Sequence, residues 1–243
     1  MCPRVARVGI PDAVAFAGHQ VHVCRYREAG RLLRWLGDDL RGQTVLDIAG
    51  GDGYWAGQAR RRGARAVSVD LARHKMVRGA RLRHAPALVE GDALRLPLRD
   101  AAADKVMSIC AIEHFDDGPA ALAEMSRVLR PGGELVMSAD CLSRRALWPE
   151  LFEAHRRRYH VQRTYTHESL AELLGAVGLD VLEHSYQFRG RAAERAYLTL
   201  SARGGRVGFN AAAPLIPLVS FDDARQPNTR GSIVLIRARK RSV

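Results

Sequence analysis

The chain is short of cysteine, lysine, aromatic residues and long apolar runs, and each shortage closes off a class of protein. Its four cysteines, Cys2, Cys24, Cys110 and Cys141, include no CxxC pair, which argues against a disulfide framework and a thiolate zinc site. His19, His22 and Cys24 form an HxxHxC cluster, but no second ligand pair accompanies it, so no metal site is expected. The longest uncharged stretch, Val207 to Phe221, is broken by Pro214 and Pro217 and falls short of the roughly 20 apolar residues that span a bilayer. No transmembrane helix is therefore expected. The opening MCPRVARVGIPDAVAFAG lacks the sustained apolar core of a secretory signal, which places the protein in the cytoplasm.

What is present suits a globular enzyme or binding protein. With 47% hydrophobic residues in 243, the chain can bury the core of one large domain, or of one domain with a lid. The net charge is +12, and only three of the 38 basic residues are lysine. Such a balance suits nucleic acid, an anionic lipid surface or an acidic substrate. The arginines are nevertheless spread along the chain and form no aromatic-interleaved patch, which speaks against nucleic acid. The densest exception, HRRRYH at 155–160, reads as a solvated helix face.

From residue 43 short apolar runs alternate with helical stretches, the pattern of a parallel sheet covered by helices. Strands are predicted at 44–49, 65–70, 87–90, 104–110 and 133–139. Helices are predicted near 54–62, 72–83 and 117–130, the last stopped by RPGG. THESLAELLGAVG then reads as a capped helix, with Thr166 at the N-cap, Ser169 at N3 and Gly178 at its end. Strands at 179–188 and 231–239 complete the pattern. YREAGRLLRWLGDDL, within residues 1–42, is predicted to be a helix covering one face of the sheet.

The stretch VLDIAGGDG, Val45 to Gly53, sets an acid inside an apolar run and follows it with glycines that lead into a helix. Glycine amides at a helix N-terminus, at the carboxyl end of a first strand, mark the place where open α/β sheets bind ligands. Gly51, Gly53 and Ala56 even match the nicotinamide fingerprint GxGxxA, and Asp70 stands where a ribose-binding acid belongs. The glycines alone therefore leave two ligands open. Asp47 separates them. A fixed carboxylate repels a diphosphate, and burying one uncompensated costs several kcal/mol, whereas a cationic ligand offsets that cost.

With these residues in place, the chain resembles the class I S-adenosylmethionine-dependent methyltransferases, in the small-molecule, UbiE-like branch. The resemblance is close over 43–139 and loose elsewhere. It rests on VLDIAGGDG, AVSVDLARHKM, VEGDALRLPL, DKVMSICAIEHF and MSRVLRPGGELVMS, five segments in the family's order and spacing. Ala49 and Gly50 stand where a small residue and cysteine are more usual. The resemblance implies S-adenosyl-L-methionine as cofactor and an α/β, Rossmann-like, doubly wound sheet of seven mostly parallel strands, the last antiparallel, with helical lid elements. It implies an N-terminal helical cap over 1–42, a cofactor-binding core over 43–140 and an acceptor-binding insertion with the last strands over 141–243. Asp47 and the amides of Gly51 and Gly53 would hold the methionine end, Asp70 both ribose hydroxyls, Asp92 the adenine amino group and Ala93 its ring. Ala49, Leu71 and Cys110 complete the expected cofactor set. Taken singly, Asp70, Asp92 and Asp104 are ordinary turn or cap residues. It is their joint placement at successive strand ends that points to a ligand.

Methyl transfer from a sulfonium requires alignment, exclusion of water and, for a hydroxyl acceptor, a base. His114 is the first candidate for that base and Glu113 the second, with His155, His160 and His167 behind them. O-methylation is the favoured outcome, with C- or N-methylation open. The segments at 155–170 and 211–231 suit an amphipathic or anionic small molecule, although residues 207–221 are read as ordinary packing under the last strand. An RNA methyltransferase and an NAD-dependent oxidoreductase are the alternative functions. The oligomeric state is left open, a dimer included.

Overall fold

A computed structural model describes residues 23–242. The seven strands are β1 (Thr44–Ile48), β2 (Arg65–Asp70), β3 (Ala87–Glu90), β4 (Ala103–Ile109), β5 (Leu129–Asp140), β6 (Leu179–Gln187) and β7 (Ile233–Lys240), in the order β3-β2-β1-β4-β5-β7-β6. All pairings are parallel except those of β7, which runs antiparallel to both neighbours. The expected doubly wound sheet with an antiparallel last strand is thus the fold observed.

The central strands read as unbroken apolar runs because both faces of the sheet are covered. Helix α1 (Val23–Leu36) puts Ala29, Leu32, Leu33 and Leu36 into one core layer, together with Trp55 and Ala59 of α2 (Tyr54–Arg61). On the other face, α4 (Gly118–Val128) buries Ala121, Leu122, Met125 and Val128 at helical spacing, beside Leu170 and Leu174 of α6 (His167–Ala176). Two helices start as side-chain chemistry dictates. The Asp117 carboxylate accepts from the Ala120 amide at 2.9 Å, and Thr166 and Ser169 form the predicted reciprocal capping box.

Several boundaries differ from the sequence reading. Helix α3 (Arg73–Gly79) ends four residues early. Gly79 packs against the Asp52 backbone so tightly that a Cβ would collide with its carbonyl, and the chain then turns toward β3. Helix α4 ends at Val128, and β5 begins at Leu129; its register against β4 jumps from Ala103–Leu129 to Lys105–Glu134, so the RPGG segment is accommodated within the strand. The HRRRYH segment lies on α5 (Pro149–Tyr159), where Arg156 and Arg157 pair with Glu153 in solvent, but His155 is buried. Helices α7 (Arg191–Thr199), α8 (Gly205–Ala211) and α9 (Ile216–Arg225), with a π-turn at Leu200–Gly204, form a lid between β6 and β7. Segment 207–221 is only half the packing expected of it. Phe209 is buried, and Ile216 and Val219 pack on the core, but Val207, Leu215, Leu218 and Phe221 face out.

Cys24 is buried, and burial pushes its thiol up to about 12. Cys2, His19 and His22 lie outside the described residues.

Candidate active site

Strand order reverses between β1 and β4, and crevices in open α/β sheets form at the carboxyl ends of the strands there. Three hollows meet at this point. The first, about 270 Å³, lies over the end of β1 and is lined by Asp47, Gly50 and Gly51 together with Arg25, Lys75 and Arg78. The second, about 300 Å³, holds Asp70, Leu71, Asp92, Ala93 and His114. Ala49 borders both. The third, only about 30 Å³, contains Cys110, Glu113, Asp140, His155 and Tyr197; it shares Arg25 with the first and His114 with the second.

Asp47 is 1% exposed, and its Oδ2 has no hydrogen-bond partner. Burial pushes its pKa up to about 8, against a backbone hydrogen bond from Ala56 and with help from the charges of Asp70 and Asp52. Gly50 is required beside it. A Cβ there would stand 2.6 Å from the Asp47 Cγ and closer still to the Ser68 hydroxyl. Gly53 adopts φ 75°, a left-handed conformation natural to glycine, to start α2.

The Gly51 amide donates to Asp70 Oδ2 at 2.8 Å, and the Gly53 amide donates to the Gly50 carbonyl at 3.0 Å. These glycines shape the hollow, while their own donors are committed within the protein. Asp70 also accepts from the Ala72 amide at 2.7 Å, so the acid at the end of β2 fixes two loops at once. Asp92 Oδ1 accepts from the Leu94 amide at 2.9 Å. Asp104 is structural, accepting from the first amide of β1 at Thr44 and pairing with Arg130.

The third hollow brings together Cys110, Glu113, His114 and His155, all named from the sequence, with Arg25, Asp140 and Ser201, which were not. The Cys110 thiol, a Glu113 oxygen and an Asp140 oxygen lie within 4.8 Å of one another. Glu113 is 1% exposed, its Oε2 has no partner, and burial followed by the charge of Asp140 pushes its pKa up to about 8. Its backbone carbonyl accepts from the amides of Gln162 and Arg163, which ties the turn after β4 to the segment leading into α6. Asp140 ends β5 and meets His155 Nε2 at 2.7 Å; His155 Nδ1 lies 2.9 Å from the Ser201 hydroxyl, which itself bonds the Leu198 carbonyl. Nδ1 therefore donates to Ser201, and one proton is shared between Nε2 and Asp140. Arg25 is held by Glu28 at 2.7 Å, and Glu28 also takes the Ser138 hydroxyl. His114, by contrast, is exposed, with Nδ1 3.5 Å from the His160 carbonyl; partial loss of solvation lowers its pKa. Ala49 and Cys110, the residues after β1 and β4, both hold left-handed backbone (φ 57° and 46°) that costs on the order of 1 kcal/mol or more per residue and persists where surroundings enforce it.

Both signs of charge line the first hollow, and an orphan carboxylate oxygen faces it. That chemistry fits a zwitterionic amino-acid tail that also carries a cation, and it does not fit a diphosphate. Comparison with known proteins agrees. Residues 46–137 match the family model described as "Methyltransferase domain". A malonyl-[acyl-carrier protein] O-methyltransferase of Serratia marcescens is 37% identical over 112 residues, 46% of this chain and 44% of that protein. The O-methyltransferase resE of Aspergillus sclerotiorum is 31% identical over 150 residues, 58% of this chain and 56% of its own length. The chain thus spans about half the length of the curated relatives it matches. Among solved structures, the YcgJ protein of a Bacillus superposes with a TM-score of 0.63 at 18% identity, covering 90% of this chain and all of that one, a likeness of fold. Over residues 46–137 the chain is thus similar to a methyltransferase domain.

Proposed function

We propose that the chain transfers a methyl group from S-adenosylmethionine to a small-molecule acceptor, with an oxygen as the favoured acceptor atom. The observation that carries this reading is the buried, unpartnered oxygen of Asp47 in a hollow lined also by Arg25, Lys75 and Arg78, which meets the hollow of Asp70 and Asp92 at Ala49. Asp47 would hold the ammonium of the cofactor and Arg25 its carboxylate, a charge-assisted pairing at each end. Asp70 retains a lone pair on each oxygen for the ribose hydroxyls, Asp92 and Ala93 would hold the adenine, and Leu71, 66% exposed, would offer an apolar cover for the ring. S-adenosylmethionine supplies an electrophilic methyl on a sulfonium.

The protein's part is alignment, dryness and one proton. Glu113 is the base in this reading, ahead of His114. Its free oxygen is buried beside Cys110 and Asp140, and a proton affinity near neutrality matches it to the task. His114 borders the cofactor and acceptor hollows and orients the turn. Names of relatives that specify O-methyltransfer favour the oxygen acceptor, and the acceptor class proposed is an amphipathic or anionic molecule.

Calorimetric titration with S-adenosylmethionine, S-adenosylhomocysteine and NAD in parallel tests the reading. The first two bind and NAD does not; a preference for NAD overturns it.

A further inference from the structure

The lid has two surfaces of different chemistry. Its inner side closes the third hollow with Tyr197, Ser201 and Phe209. On α9, Ile216, Val219 and Asp223 point inward, and Asp223 holds Arg27 and the amides of Phe188 and Arg189. The opposite face of the same helix, with the residue before it, is at spacings of three, three and four Leu215, Leu218, Phe221 and Arg225. Leu218 is 65% exposed and Phe221 58%. A surface helix ordinarily carries polar residues there. Val207, 77% exposed, projects from α8, and Leu147 from the turn before α5. Three of the eight large exposed hydrophobics among the described residues, Leu215, Leu218 and Phe221, thus fall on one helical face, which is more than the single scatter of an ordinary surface. Beside them an open hollow of about 750 Å³ is walled by Trp148, Ala196, Leu200 and Leu215 and rimmed by Arg191 and Arg195.

Charge is sorted the same way. Glu194 and Asp223 are buried against Arg144 and Arg27, whereas Arg191, Arg195, Arg203 and Arg225 are exposed. The Arg225 guanidinium lies 4.3 Å over the Phe221 ring, so cation and aromatic are presented together.

We infer that the outer face of the lid is a docking surface for an anionic lipid bilayer, with Leu215, Leu218 and Phe221 entering the headgroup boundary and the arginines meeting lipid phosphates. No described helix is long and apolar enough to cross a membrane, so the contact is interfacial. Aliphatic side chains have no complement on a phosphate backbone, which disfavours nucleic acid. Two copies meeting through this face would set arginines against arginines, which disfavours a self-contact. The inference concerns this surface and stands or falls apart from the methyl-transfer reading.

Co-sedimentation of the full chain with phosphatidylcholine vesicles, with and without phosphatidylglycerol, tests it. The chain sediments only with the anionic vesicles, and salt weakens the binding. Leu218→Asp with Phe221→Asp, and separately Arg191→Glu with Arg195→Glu, each reduce binding at least about tenfold with an unchanged melting temperature. Absence of wild-type binding, equal binding to both vesicles, or variants that bind like wild type overturn the inference. A concentration-dependent dimer lost in the Leu218→Asp variant, without vesicle binding, overturns it in favour of a second copy. Salt-sensitive RNA binding indifferent to Leu218→Asp, again without vesicle binding, overturns it in favour of nucleic acid.

Discussion

Replacing Asp47 by asparagine separates what the carboxylate does for a ligand from what it does to the fold. The side chain sits between Leu46 and Ile48 on the central strand, with one oxygen unpartnered and a pKa near 8 caused chiefly by burial. An unfolded aspartate titrates near 4. Between these values the folded chain keeps a proton that the unfolded chain releases, so stability falls as pH rises through the window and levels off above it. Below the unfolded value the effect is absent. At pH 7 about three units of that window have been crossed, which at about 1.4 kcal/mol per unit is on the order of 4 kcal/mol at most. Asparagine is neutral in both states and lacks this slope. Ligand-free Asp47→Asn is therefore more stable than wild type at neutral pH, by up to about 16 °C in melting temperature for a chain of this size, and the difference vanishes toward pH 4. The same variant binds S-adenosylmethionine at least about tenfold more weakly, because an amide cannot neutralise a cation. Melting curves from weakly acidic to weakly alkaline pH, with and without S-adenosylmethionine, measure both effects. Glu113 adds a second slope of the same sign to both proteins, so their difference isolates Asp47. A variant that melts at or below the wild-type temperature with an unchanged slope refutes the reasoning.

Glu113→Gln lowers kcat about 10²- to 10⁴-fold, the range of a lost general base, and abolishes the rise of wild-type rate with pH toward about 8; cofactor affinity in calorimetry stays the same. His114→Ala in the same assay costs less than Glu113→Gln, and the reverse order would return the base to the histidine. Gly50→Ala forces a Cβ against Asp47 and Ser68 and destabilises by roughly 1–3 kcal/mol, read as a lower urea midpoint; an unchanged midpoint would contradict the close approach. Glu134→Gln tests the other end of the sheet. Burial disfavours the Glu134 charge, but hydrogen bonds from Arg239, Arg237 and Lys105 outweigh it and hold the pKa at about 2. Its contribution is present above the ordinary glutamate value near 4.5 and fades as pH falls toward 2. The variant is accordingly less stable by about 2 kcal/mol at neutral pH and converges on wild type in acid, which denaturant titrations at the two pH values resolve.

Legibility in the sequence followed the range of the forces involved. Asp47, Asp70 and Asp92 were readable because each acid ends, or interrupts near its end, an apolar run, and a parallel sheet brings consecutive strand ends to one edge; the hollows over β1 and β2 contain all three. The capping box at Thr166 and Ser169 was readable because it is closed within four residues. The convergence of the third hollow's residues, four of them named singly, was not. Arg25 comes from α1, Glu113 from the turn after β4, Asp140 from the end of β5, His155 from α5 and Ser201 from the π-turn, and no local pattern links them. Glu28 gave a weak signal, an acid on the buried stripe of an amphipathic helix, explained only when Arg25 and Ser138 are seen against it. The left-handed backbone at Ala49 and Cys110 had no signal in residue type, since neither is glycine. The partners of the glycine-loop amides were not legible either. A sequence shows that amides can approach a ligand, but Asp70, nineteen positions beyond Gly51, takes the Gly51 amide. The half-exposed segment at 207–221 carried the opposite lesson. Its apolar content was read as core, and the fold instead divides it between an inner face on the core and an outer face in solvent. Composition specifies how much apolar surface a segment owns; what covers each face is decided by the rest of the chain and by whatever the chain meets.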